Sequence, residues 1–326
     1  MAARDGLAEM PPDDQQRMSQ RANIFDGLRA TVPRATRYTL HAADDDCSAA
    51  PPNAKRIYFV RHGEGEHNAW RATEKAAGRT PTAKRHNVGQ FPPSLHDPCL
   101  TQKGAADALA AAAVARSLPR PELLVTSPMR RAVQTLLTAF DDAIAAGVPA
   151  IAHELCREAF HGTDPSVYDS RLGRETLAAA YPQVDFASHV LPATPAAADG
   201  STALIEDPLW WSCESPFFAP GGGGGRGIDE AAIAEHAHRF LQWLMARPES
   251  VIAVATHSNF LLALHHACLD GCPQSAQVFY TGELRVLSVS ATPALSPVSI
   301  RAELGAQAAA VAGGSALDVH LSGELQ

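Results

Sequence analysis

Short apolar runs alternating with helix-length segments constrain this chain more than any other feature. The runs RIYFV (56–60), ELLVT (122–126), PAIAHEL (149–155), SVIAVATH (250–257) and GELRVLSVSA (282–291) have strand length and end in turn or polar signals. Between them lie segments of helical pattern: LTQKGAADALAAAAVARSL (100–118), SPMRRAVQTLLTAFDDAIAAG (127–147), residues 173–181, GIDEAAIAEHAHRFLQWLMAR (227–247) and SNFLLALHHACL (258–269). Thr101 is a natural N-cap for the first of these helices. Ser127 is expected to cap the second, with Pro128 in its first turn and Gly147 at its stop. Strands that alternate with helices pair in parallel and carry helices on both faces. The expected fold is therefore an α/β class, a three-layer α/β/α sandwich on a mostly parallel sheet.

The organisation around that domain reads as follows. Residues 1–54 are expected to form an N-terminal extension, partly disordered, ordered at most where the amphipathic patch RANIFDGLRATV docks. The main domain spans 55–300. It is interrupted at about 192–228 by a Pro-, Gly- and Ala-rich insertion that ends in a five-glycine run. Residues 301–326 form a weakly patterned tail. The glycine run is not a phosphate-binding loop, because no Gly-Lys-Ser/Thr follows it.

Composition narrows the function classes. The net charge of −8 argues against a nucleic-acid or anionic-membrane binder. The six cysteines are scattered, with no C-x-x-C pair, so a reducing compartment and free thiols are expected. No apolar run reaches the length of a membrane span, and the N-terminal stretch is acidic with no apolar core. The expectation is a soluble, cytoplasmic protein; nothing in the sequence speaks to its oligomeric state.

In an α/β sheet ligands bind beyond the carboxyl ends of the strands. Here Arg61 and His62 follow one strand, and His257 follows another. Arg130 and Arg131 follow a third, and Glu154 and Glu158 lie beyond a fourth. Two imidazoles, several guanidinium groups and two carboxylates at one sheet edge make an anion site, and the imidazoles exceed what passive anion binding needs. Taken singly, each has a plainer reading. Arg61 and Arg131 could be surface ion-pair residues, and Arg130 a salt-bridged helix residue. His265 and His266 could be packing residues. His236 and His238, two apart, do not share a helix face, so no metal site is expected from them. His67 and His86 read as solvated loop residues, and Trp210 and Trp211 as packing for the insertion.

The motifs RHG, LTQKG, TSPMRRAVQT, REAFHG and VATHS, in this order over roughly 55–270, resemble the histidine phosphatase superfamily, the phosphoglycerate mutase-like proteins. The stretches CREAFHGTDPSVYDSR, YPQVDF, DPLWW and RFLQWLMARPESVIAVATHSNFL are most similar to its plant and fungal branch. The resemblance implies that His62 is the nucleophile, that Arg61 and Arg131 clamp the phosphoryl group, and that His257 stabilises it in transfer. Asn68, six residues after His62, would donate to the same group, and Gly63 would let the backbone approach it. Glu158, four residues before Gly162, matches the proton donor, with Glu154 as the nearby rival. Arg171 and Arg174 could read a second anionic group on the substrate or simply decorate the surface.

The function implied is a cofactor- and metal-independent phosphatase acting on a small phosphorylated metabolite through a phosphohistidine. One alternative is phosphoglycerate mutase-type transfer, made less apt by EAFHG where mutases carry ERHYG. Another is a non-catalytic phospho-ligand-binding module, which would have no use for a nucleophile beside an acid.

Overall fold

The computed structural model describes residues 12–31, 36–41, 51, 53–83, 91–158, 166–192, 207, 230–271 and 278–293. The glycine run, Trp210, Trp211, His86 and the tail 301–326 lie outside the described residues, as does nearly all of the 192–228 insertion. Seven strands form one sheet: β1 (Thr36–His41), β2 (Lys55–Arg61), β3 (Leu123–Thr126), β4 (Ala150–Ala152), β5 (Val251–Thr256), β6 (Leu269–Asp270) and β7 (Leu284–Pro293). Their order is β4-β3-β5-β2-β7-β1-β6. The pairs β3–β4, β3–β5, β2–β5 and β1–β6 are parallel, whereas β7 runs antiparallel to both β2 and β1. This is the mostly parallel sheet expected from the alternating pattern.

Alternation along β2 divides the core. Ile57 and Phe59 face one side, with Ile252 and Val254 of β5 and with Phe25, Phe240 and Phe260 from helices. Tyr58 and Val60 face the other, with Ala253, Ala255, Val133, Leu136 and Leu177. All are buried, and both faces of β2 are covered, which is why it reads as a continuous apolar run. The helices on the first side are α1 (Pro12–Thr31), α7 (Glu230–Ala246) and α8 (Ser258–Ala263). On the second side are α3 (Gln102–Ala115), α4 (Arg130–Ala139), α5 (Asp141–Ala145) and α6 (Arg174–Ala180). A further helix, α2 (Glu66–Ala76), follows β2.

Three expectations are corrected. Residues 12–31 and 36–41, expected in an extension, pack into the domain: α1 buries Met18 and Phe25, and β1 lies between β7 and β6. Its strand character was hidden because TRYTLH is short and only Tyr38 is fully buried in it. The expected single helix over 127–147 breaks at Phe140 into α4 and α5, and Ser127 is not its cap. Met129 holds that position without a side-chain bond. The Gly147 stop does hold, at φ +80°, and Thr101 does cap α3, accepting from Gly104 N at 3.0 Å.

Glycine does a specific job at one joint. A Cβ on Gly63 would sit 2.2 Å from Gly104 O, and a Cβ on Gly104 would sit 2.0 Å from Glu64 O. The RHG turn and the first turn of α3 therefore meet backbone to backbone. Gly63 N donates to Thr135 Oγ1 (3.0 Å). Gly63 is thus required for this packing, whatever further part its backbone takes in binding a phosphate.

Candidate active site

β2, β3 and β5 are neighbours and run the same way, so their carboxyl ends deliver Arg61–His62, Ser127 and His257 to one edge of the sheet. His62 is buried. Its Nδ1 lies 2.7 Å from Gly63 O, a carbonyl that can only accept, so Nδ1 carries the proton. Nε2 then keeps its lone pair, and Arg131 Nε donates to it at 3.3 Å. Burial, then the charges of Arg131 and Arg61, push the His62 pKa well below the ordinary histidine range. The result is a neutral imidazole whose Nε2 lone pair faces a fixed guanidinium.

Arg131, in the first turn of α4, is buried, and its Nη1 also donates to Tyr168 O (2.8 Å). Arg61 donates from Nη1 to Phe279 O (2.7 Å), and its buried Nε has no partner. The His257 ring is 4.9 Å from that of His62. His257 Nε2 shares a hydrogen bond with Ser127 Oγ (2.8 Å), and its buried Nδ1 has no partner. Burial, followed by the Arg131 charge, lowers its pKa well below the ordinary value. Ser127, expected as a helix cap, instead orients this second imidazole.

The two candidate acids are separated by environment. Glu154 is fully buried and accepts from Arg171 Nε (3.0 Å) and Nη2 (2.5 Å), Arg157 Nη1 (3.3 Å) and Leu191 N (3.3 Å). Arg157 also forks onto Asp207 (3.1 and 2.6 Å), and Arg171 N donates to the same carboxylate (3.1 Å). Two carboxylates and two guanidinium groups thus neutralise one another out of solvent, tying residue 207 to the acid motif. Glu158, by contrast, accepts from Phe260 N (3.2 Å) in the first turn of α8, three residues past His257.

Several candidates are displaced by this geometry. Arg171 is consumed by the buried network, and Arg174 pairs with its neighbour Glu175 (2.8 Å). Asn68 accepts from Gly65 N through Oδ1 (3.0 Å) at the start of α2, which leaves its Nδ2 as the donor that the resemblance implies. Arg130 donates to the Asp97 and His96 carbonyls, a structural role like the one expected of it but made through backbone oxygens rather than a salt bridge. His67 is not solvated. It is buried, its ring 5.9 Å from His62 and stacked on Tyr168 at 5.1 Å. Its position five residues past His62, at the start of a helix leaving the strand end, was the available signal. Nothing in the sequence marks Arg21 of α1, which donates to Asn259 Oδ1 (2.6 Å) one turn from His257.

Among the described residues no cluster of three or more His, Cys, Asp or Glu could hold a metal ion. No helix there is long and apolar enough to cross a membrane. No curated protein matches the chain. Solved structures that resemble it include "Mycobacterial hydrolase 1" (17% identity, 74% of this chain and 97% of that one, TM-score 0.39). Another is a putative alpha-ribazole-5'-P phosphatase from Escherichia coli (16%, 74% and 95%, TM-score 0.40). A third is a mycobacterial glucosyl-3-phosphoglycerate phosphatase (19%, 74% and 99%, TM-score 0.38). Residues 57–170, which hold Arg61, His62, Arg131 and Glu158 but not His257, match the sequence model of the histidine phosphatase superfamily (branch 1).

Proposed function

We propose that the protein is a phosphatase of this superfamily that hydrolyses a small phosphomonoester through phospho-His62. The observation that carries this reading is the His62 imidazole itself, with Nδ1 tied to Gly63 O and Nε2 facing Arg131. In the first half-reaction the Nε2 lone pair forms the N–P bond while the P–O bond to the alcohol breaks. Arg131 and Arg61 neutralise the phosphoryl oxygens, and a proton on the unpartnered Nδ1 of His257 supplies a further donor. Glu158 gives its proton to the departing oxygen. In the second half-reaction Glu158 takes a proton from water, whose oxygen attacks phosphorus and returns the electron pair to Nε2.

Hydrolysis is favoured over mutase transfer because EAFHG stands where mutases of this family carry ERHYG. The plant and fungal branch is the subgroup that the 156–171 and 239–261 stretches favour, and Glu158 is preferred to Glu154 because Glu154 is already fully engaged by arginines. A rapid quench with labelled aryl phosphate tests the reading: wild type should trap an acid-labile phosphohistidine that His62→Ala lacks. Label surviving in His62→Ala would end it. Glu158→Gln should lose at least about a hundredfold on an alkyl phosphate, with its poor leaving group, and far less on nitrophenyl phosphate. Equal losses would remove Glu158 from the role of acid.

A further inference from the structure

His67 is a buried imidazole that the reaction above does not use. It belongs to the first turn of α2 and is held between two rings of the site: His62, 5.9 Å away at 49°, and Tyr168, stacked at 5.1 Å and 26°. Gly65 leaves the space it occupies. A Cβ there would stand 2.7 Å from His67 Nδ1 and 3.4 Å from the Arg131 side chain. The stack is tied to the phosphoryl clamp, because the backbone carbonyl of Tyr168 accepts from Arg131 Nη1. Arg71, one turn on in α2, lies over the same Tyr168 ring at 5.9 Å. Yet His67 Nδ1 is sealed from solvent without a hydrogen-bond partner. A buried polar nitrogen without a partner costs stability, and such a cost in a site indicates a group held for a ligand.

The charges around His67 say which ligand. Arg131 of α4, Arg61 and His62 at the end of β2, and Arg71 of its own helix act on it electrostatically, and it is coupled to His257 beyond β5. Burial first, then Arg131, His62, Arg71 and Arg61, hold its pKa well below the ordinary value, so it is neutral while the site is empty. A phosphoryl dianion placed among these arginines cancels the repulsion that keeps the proton off. We infer that His67 is a further phosphoryl-binding residue that takes up a proton when a phosphate dianion enters the site, adding a charged donor only once the anion is there to use it. The inference rests on the proposed function and deepens it.

The test is inorganic phosphate binding to the full chain by titration calorimetry at about pH 8, in buffers of differing ionisation enthalpy, which counts protons taken up on binding. The same phosphate is then used as a competitive inhibitor of nitrophenyl phosphate hydrolysis. His67→Phe keeps a ring for the Tyr168 stack and removes the titratable nitrogens; His67→Gln keeps a donor without the proton and serves if the Phe variant melts early. Proton uptake should fall in either variant by a sizeable fraction of one, and phosphate affinity roughly tenfold. Unchanged uptake and affinity in a folded variant would overturn this role for His67 while leaving the phosphatase reading intact. A wild type that neither binds phosphate nor hydrolyses the aryl ester would overturn both.

Discussion

Acidifying this protein from about pH 7.5 to about pH 5 should remove much of its stability, through histidines that fold in neutral form. Two carry values from which a magnitude follows. Burial, reinforced by His189 and His236, lowers His153 to about 3, and burial lowers His265 to about 4. Both are almost fully buried, at 4% and 1% exposure. His153 Nδ1 accepts from Leu155 N (3.0 Å), a bond that protonation would destroy. In each case the folded pKa lies below the unfolded one, so below about pH 6.5 the unfolded chain binds a proton that the folded chain refuses. Stability is therefore full above that pH and falls as pH drops, until the folded pKa is passed. At about pH 5 each group has withdrawn about 2 kcal/mol, or about 4 kcal/mol for the pair. That is a large part of the about 5–15 kcal/mol that a domain usually has. His62, His67 and His257, shifted the same way, add to the loss. The assay is urea unfolding at the two pH values with the slope checked for constancy. His153→Asn, whose Oδ1 can still accept from Leu155 N, should reduce the pH-dependent loss by about 2 kcal/mol whatever its effect at neutral pH. A wild-type loss under about 1 kcal/mol, or an identical loss in the variant, would refute the reasoning.

Two further outcomes follow from packing. Gly63→Ala should cost about 3 kcal/mol or more, because the new methyl meets the Gly104 backbone, whereas Gly27→Ala in α1, with open space around it, should be neutral or stabilising; urea midpoints of the two variants decide it. Deleting residues 1–45 should lower the thermal midpoint sharply or leave the protein insoluble, since it removes Phe25 from the core and β1 from between β7 and β6; an unchanged melt would mean that α1 and β1 contribute nothing.

The sheet's central part was legible because β2, β3 and β5 are buried on both faces and so appear as uninterrupted apolar runs. β1 and β6 were not legible: one is half-exposed at its edges, and the other has two residues. The meeting of Arg61, His62, Arg131 and His257 was legible because parallel strands bring their carboxyl ends to one edge. What escaped were facts of side-chain direction. Arg171 looks like any surface arginine until Glu154 and Asp207 are found around it. His67 reads as solvated until the turn folds it under Tyr168. Ser127 looks like a helix cap, and only β5 next door reveals that its hydroxyl belongs to His257.

The place of β1 also sets the order in which the molecule can be completed during synthesis. Its neighbours are β7 and β6, so Tyr38 pairs with Ala291 on one side and with Leu269 on the other. The strand thus waits for partners made much later along the chain. Until they emerge from the ribosome, its backbone donors and acceptors and the apolar flank of α1 stay uncovered. Pairings so distant along the chain form slowly and leave a growing chain open to association with its neighbours. Chaperone dependence and inclusion-body formation in overexpression are therefore to be expected from topology rather than from any weakness of the finished sheet.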